Sequence, residues 1–396
     1  MRVVFINLHA NEFLVKTSSK MLFKQSVALK HRYFLDWLLS QPDIEVCSYI
    51  NDKGFSLKDS SRLLRPFRFL ESRYVLAQNK LGGKKIKILR HKSDIRSDDI
   101  VIGYRHVPSS LFGMASLNGL KVISMIHFHG EKSDADLISK AEPNLLINEC
   151  DLSKFSEIYK RYYPLKVPFV VHPFVAAERF QRIKPFNERE NRCFSTGTIT
   201  YKHHSEFIEI YGDPCDQPIR KTVLDNKDTL EDLIACYNAN YLENQEQKVI
   251  KPTDNRIVRF WKAWYNLRHV GHQKKYFSFD MVERFNNFKM CLIGEEILGI
   301  PGIGFVEGMC CGCAYIGRSY GYYEDLGMIA GVHYIGYDGT LEDLCRVIRY
   351  YQRPENQQAL ERIAENGYQF AINHFRKSSA SQNLLDSLKD EINKRK

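Results

Sequence analysis

Glu307 is the lone charge in GIGFVEGMCCGCAYIG, residues 302–317, an otherwise apolar run punctuated by glycine. Taking a carboxylate out of water is costly unless something pairs with it. Two roles fit. The side chain caps its own helix or pairs with a nearby arginine, or it accepts hydrogen bonds from the hydroxyls of a bound ribose or sugar. The loop before it, GIPGIG (299–304), lets a backbone come close to a ligand, at Gly302 and Gly304 in particular. A helix starting near Phe305 would aim its first amides at the same space, as anion sites do.

A second set of polar side chains lies in the other half. MIHFHG (125–130) closes a strand-like run. His127 and His129 flank Phe128 and so point to opposite faces from it. His129, nearer the strand's end, is the candidate for the ligand side, because open parallel sheets bind beyond the carboxyl ends of their strands. A hydrogen-bonded structural histidine fits the position equally. His9 and Asn11, just past the first apolar run, are comparable candidates, and His172 in HPF is placed at a crossover between domains.

These groups need a scaffold. RVVFINL (2–8), IEVCSYI (44–50), DDIVIGY (98–104), GLKVISMIHFHG (119–130), PNLLINEC (143–150) and LKVPFVVHPFV (165–175) read as strands. Helical stretches such as SVALKHRYFLDWLLSQ (26–41) alternate with them. KPFNERENR (184–192) is polar and reads as a linker. RCFSTGTIT (192–200), KMCLIGEEI (289–297), CAYIGR (313–318) and HYIGYD (333–338) then restart the alternation, and 341–375 reads as helix interrupted near Pro354. Strands alternating with helices predict a parallel α/β architecture in two halves with a cleft between them. The expected domains are 1–183 and 184–375, with a helical tail at 376–396.

Composition bounds the function. The chain has 396 residues, 44% hydrophobic and 26% charged, which is ordinary for a globular protein. No run approaches the ~20 apolar residues of a spanning helix. MRVVFINLHANEF lacks a signal peptide's longer apolar stretch and cleavage site, so the expected location is the cytoplasm. The ten cysteines are scattered, and reduced thiols are expected. Cys310 and Cys313 form C-x-x-C without a second pair, which reads as packing and not as a zinc site. No G-x-G-x-x-G follows the first strand, which disfavours a dinucleotide-dependent dehydrogenase.

The net charge of +10 is unevenly spread. Residues 58–92 hold eleven Lys or Arg against Asp59 and Glu71, and 256–279 hold six bases and no acid. Concentrated positive charge points to a polyanion: phosphate, anionic lipid or nucleic acid. No helix-turn-helix, RNP or zinc-finger pattern supports nucleic acid, and none is expected as a partner.

The order of motifs in the second half resembles the group 1 glycosyltransferases of the two-Rossmann GT-B fold. E-G-M-C-C-G (307–312) matches the family's E-A-M-A-C-G after a strand and a glycine-rich loop. CAYIGRSYGYYEDL, HYIGYD, Pro354-Glu355 and IAENGYQFAINHF (363–375) follow in the family's order, and STGTI (195–199) corresponds to the first strand of its nucleotide domain. One departure is visible. The family's second glutamate, eight residues before the first, is replaced here by Gly299.

The resemblance implies two Rossmann-like domains facing a cleft, with a nucleotide-sugar in the C-terminal half, an acceptor in the N-terminal half, and no metal or other cofactor. Glu307 would bind donor hydroxyls, and His129 stands with it as a catalytic candidate. Gly197, Glu295, Gly302, Gly304 and Gly308 would line the donor site, with Arg220, Lys221, Lys251 and Arg256 as candidates for its diphosphate. His9 and Asn11 would stand on the acceptor side. The basic segment 58–92 mixes Arg and Lys with Leu, Phe and Tyr, which suits a peripheral contact with anionic lipid on the inner face of the cytoplasmic membrane. A solvated helix with its apolar residues on the core is the plainer alternative. The expected function is sugar transfer to a lipid-linked glycan in bacterial surface polysaccharide synthesis. A GT-B-like nucleotide-sugar epimerase and a non-catalytic scaffold are the rivals.

Overall fold

The computed structural model describes residues 1–18, 32–51, 61–83, 85–126, 128, 131–240, 255–269 and 279–394. The chain forms two compact units. The first comprises Met1–Ala177, His204–Ile210 and Asn373–Lys396, and the second Glu178–His203 and Tyr211–Ile372. The main crossing thus falls at 177/178, before the expected 183/184. The tail is no separate element: the helix Lys377–Asn393 places Leu384, Leu385 and Leu388 in the first unit's core.

The first unit holds a seven-stranded parallel sheet in the order β3-β2-β1-β4-β5-β6-β7. Its strands are β1 (Arg2–Ile6), β2 (Glu45–Tyr49), β3 (Lys87–Leu89), β4 (Ile100–Tyr104), β5 (Leu120–Ser124), β6 (Leu145–Asn148) and β7 (Phe169–Val171). Every residue of β1, β4 and β6 is buried, as in strands covered on both faces. Val3, Phe5, Ile100, Ile102, Val122 and Ile147 carry the core, and Trp37 of the helix Tyr33–Leu38 packs on it. At the amino edge Arg2 makes a bidentate bond to Asp99, Nε to Oδ1 at 2.8 Å and Nη2 to Oδ2 at 2.6 Å, fixing β1 beside β4.

The second unit holds a five-stranded parallel sheet in the order β12-β11-β10-β8-β9. Its strands are β8 (Glu190–Ile199), β9 (Ile234–Asn240), β10 (Phe288–Leu292), β11 (Ala314–Arg318) and β12 (Ile335–Tyr337). Met290, Leu292, Ala314 and Ile316 form its core with Leu344, Ile348 and Leu360 from the following helices. The stretch read as a linker instead makes a 3-10 turn, Phe186–Glu188, and leads directly into β8.

In each sheet the strand order reverses once, between β1 and β4 in the first and between β8 and β10 in the second. Ligands of open α/β sheets bind beyond the carboxyl ends of the strands at such points.

Candidate functional site

The reversal in the second unit is spanned by one buried arginine. Arg220, on the helix Pro218–Asp225, donates from Nε to the Ile293 carbonyl at 2.5 Å, from Nη2 to that of Gly294 at 3.0 Å and from Nη1 to that of Thr198 at 2.9 Å. It ties the carboxyl end of β10 to that of β8. A Cβ on Gly197 would stand 2.7 Å from Arg220 Nε, and one on Gly302 would stand 2.7 Å from Nη2. The missing side chains at Gly197 and Gly302 therefore make room for a guanidinium. Gly304 and Gly308 pack against Ile293 and Cys291 in the same way.

The loop after β10 is a tight hairpin. Glu295 bridges Pro301, and Glu296 N donates to the Ile300 carbonyl at 2.8 Å. Gly299 takes a left-handed φ of 84°, and a Cβ built there would stand 3.1 Å from the Tyr320 ring. Such a backbone favours glycine over the glutamate that the sequence resemblance would place there. Glu295, 3% exposed, fastens the hairpin to β11. Its Oε1 accepts from Arg318 N at 2.8 Å and from the Tyr323 hydroxyl at 2.6 Å, and its Oε2 from the Tyr337 hydroxyl at 3.4 Å. Burial, then the charge of Glu295, pushes the Tyr323 and Tyr337 hydroxyls well up, so both stay protonated and donating.

Glu307 sits half-buried on the seven-residue helix Gly304–Cys310, with its backbone carbonyl accepting from Cys311 N at 3.1 Å. Cys310 and Cys313 are buried and form no disulfide, and Cys313 Sγ donates to the Phe285 carbonyl at 2.9 Å. Lys221 pairs with Asp225 at 2.5 Å, one turn along its own helix. Lys251 lies outside the described residues, as does the side chain of Arg256.

Sequence reasoning missed a buried ion pair beside this loop. Lys202 Nζ lies 2.9 Å from Asp216 Oδ2, which also accepts from Gln217 Nε2 at 3.0 Å. The Asp216 carbonyl accepts Ile297 N at 2.6 Å, joining the segment after β8 to the hairpin after β10. Asp216 Oδ1 is buried without a hydrogen-bond partner among the described residues. The dipeptide Tyr201-Lys202 gave no sign of this, because only tertiary contact brings Asp216 alongside.

The first unit gathers polar groups at its own reversal. Asn7, at a left-handed φ of 51°, donates from Nδ2 to the Asn51 carbonyl at 3.0 Å and to Ser109 Oγ at 3.1 Å, turning the chain sharply off β1. His9 follows, buried, with neither ring nitrogen partnered among the described residues. Burial pulls its pKa down to about 4. Asn11 Oδ1 accepts from Phe13 N at 3.1 Å and lies 3.0 Å from His106 Nε2, beyond β4. Burial, and then Arg105, pulls His106 down to about 3. Asn11 Nδ2 and His106 Nδ1 are left without partners among the described residues. The structure thus brings His9 and Asn11 to the β1–β4 reversal and adds His106, which the sequence reading passed over.

Arg105 beside it bonds Glu131 at 3.1 Å and Asp134 at 2.6 Å. His127 and His129 lie outside the described residues. His172 is buried in the first unit, with Nε2 on the Tyr33 hydroxyl. Among the described residues no group of three or more His, Cys, Asp or Glu could hold a metal ion.

No protein-family model matches the chain. No curated protein sequence matches it either. Solved structures do. Sucrose-phosphate synthase from Thermosynechococcus elongatus is similar with a TM-score of 0.51 at 9% identity, over 100% of both chains. A glycosyltransferase from Rickettsia africae gives a TM-score of 0.49 at 11% identity, over 99% of this chain and 98% of that one. Anabaena HepE, solved with UDP and glucose, gives 0.48 at 11% identity, over 98% and 100%. What the end-to-end likeness to the synthase shows is the fold: two parallel-sheet α/β units of the GT-B type.

Proposed function

We propose that this chain is a glycosyltransferase moving a sugar from a nucleotide-sugar donor to a lipid-linked glycan acceptor in bacterial surface polysaccharide synthesis. The observation that carries the reading is the pair of strand-order reversals. Each has buried polar side chains with atoms that find no hydrogen-bond partner among the described residues, in a chain that shares a GT-B enzyme's fold end to end.

The donor belongs to the second unit. Glu307, on the helix after the hairpin, accepts hydrogen bonds from donor sugar hydroxyls. Lys202 supplies positive charge near the departing phosphate, a job of preorganised electrostatics. Arg220 and Glu295 act through the loops: they hold the ends of β8, β10 and β11 in place while others touch the ligand. The acceptor belongs to the first unit, where His9, Asn11 and His106 offer neutral donors and acceptors suited to hydroxyls. His129 is retained as a catalytic candidate on its position in the sequence.

The acceptor's lipid would bring the protein to a membrane. The helix Ser61–Gln78 sends Val75 and Leu76 into the first unit's core and leaves Phe67, Leu70 and Tyr74 exposed near Arg73. Both parts of the sequence reading therefore fit one helix. No helix among the described residues is long and apolar enough to cross a membrane. Replacing Arg62, Arg65 and Arg68 with Glu should weaken sedimentation with anionic liposomes, and unchanged sedimentation would refute the lipid contact.

Glu307→Gln tests the donor side. It should lower transfer at least ~100-fold, in the range of a lost catalytic interaction, with the thermal midpoint unchanged. Wild-type turnover would remove Glu307 from the mechanism.

A further inference from the structure

A second amphipathic helix lies in the other unit. In the helix Arg256–His269, Ile257, Phe260, Trp261 and Trp264 recur at i, i+3, i+4 and i+7 and so form one stripe. They are 80%, 62%, 46% and 39% exposed. The chain has three tryptophans, and the third, Trp37, is buried in the first unit's core. Arg259 and Lys262 occupy helix positions away from the stripe. From Arg256 to Phe279 the chain has six bases and no acid.

We propose that this helix is a membrane-binding element of the second unit, lying flat in the headgroup layer of a bilayer that contains anionic lipid. Aromatic and aliphatic residues on one side with bases on the other is the pattern of helices that rest in the interface. Tryptophan favours that layer, with its apolar body in the acyl boundary and its N–H in the headgroups. Fourteen residues give a length of about 21 Å, enough to lie along the surface and too short to span it. A second copy of the chain is the weaker occupant, since pairing would bring two acid-free basic segments together. The inference is independent of the proposed reaction and of the helix Ser61–Gln78, which contains no tryptophan.

The tryptophans make the test specific. The full-length protein is mixed with vesicles of phosphatidylcholine, with or without phosphatidylglycerol, and with the same lipids carrying brominated acyl chains. With phosphatidylglycerol, emission should move to shorter wavelength and be quenched by the brominated chains; with phosphatidylcholine alone it should not change. The Ile257→Ser/Phe260→Ser variant keeps both reporters and should lose the shift and the quenching, with near-ultraviolet circular dichroism confirming its fold. Vesicle binding with unchanged emission would overturn the proposal, because the contact would then lie elsewhere. So would no binding, or a wild-type response from the variant. Self-association lost in the variant without any lipid response would make the stripe a contact between copies. Transfer activity is not read in this assay, so its failure and the failure of the proposed reaction are separable.

Discussion

An imidazole buried with no hydrogen-bond partner among the described residues is an unusual expense for a fold, and His9 is one. Replacing it with Leu removes that burden at similar volume, so stability should hold or rise. If His9 serves the acceptor, transfer should nevertheless fall, chiefly through a higher acceptor KM. A variant more stable and equally active would make His9 a packing residue. The same burial predicts acid sensitivity. His9 and His106 have folded pKa values of about 4 and 3, below the ordinary 6.5, so protonation favours the unfolded chain. Neither histidine costs stability by titration above pH 6.5; below it stability declines progressively, levelling off near pH 4 for His9 and near pH 3 for His106. For His9 this is on the order of 3 kcal/mol. Denaturant unfolding from pH 7 to 4 should show the decline, and His9→Leu should flatten part of it. The two carboxylates differ by placement. Glu295 is surrounded by three donors, whereas Glu307 sits on a half-buried helix position. Sequence singled out Glu307 by its apolar neighbours, but it offered no way to see that Glu295 would be the one enclosed by tyrosines 28 and 42 residues away.

At the scale of elements, Arg220 and Arg2 hold strand ends together by different means. Arg220→Met would leave three strand-end carbonyls without their donor and should cost at least ~3 kcal/mol. Because those carbonyls frame the donor loops, nucleotide-sugar affinity should fall with it. Arg2→Met leaves Asp99 buried and uncompensated at the amino edge of the first unit's sheet and should cost about 3–5 kcal/mol without altering donor affinity in the surviving folded protein. Equal effects of the two variants on affinity would count against a donor site at the β8–β10 reversal. Most strands were legible because parallel strands covered on both faces are continuous apolar runs, as in RVVFI and IVIGY. β3 was not: KIL is short and sits inside the lysine-rich segment, so its charge masked it. β9, IACYNAN, is only partly buried and holds two asparagines that a strand seldom carries. At the site, His9 and Asn11 could be placed because they follow the first strand directly. His106, Lys202 and Asp216 acquire their burial only from neighbours far along the chain.

For the molecule as a whole, the charge is divided by segment. Residues 58–92 carry +9 and 256–279 carry +6, so the remainder is −5 against the total of +10. Attraction to anionic lipid should therefore weaken steeply as ionic strength rises, with the Debye length shrinking from about 10 Å at 0.1 M to about 3 Å at 1 M salt. Vesicle binding that ignores salt would assign the contact to apolar insertion alone. Fold and chemistry stand on different footing. The GT-B architecture rests on sheet order and a whole-length likeness, while sugar transfer rests on the groups gathered at the two reversals. The most direct test is calorimetric titration of the full chain with a panel of nucleotide-sugars, followed by product analysis with the donor that binds and a lipid-linked glycan. Saturable binding of a nucleotide-sugar, weakened by Arg220→Met, and a glycan longer by one sugar are the expected results. A panel in which no nucleotide-sugar binds would contradict the account.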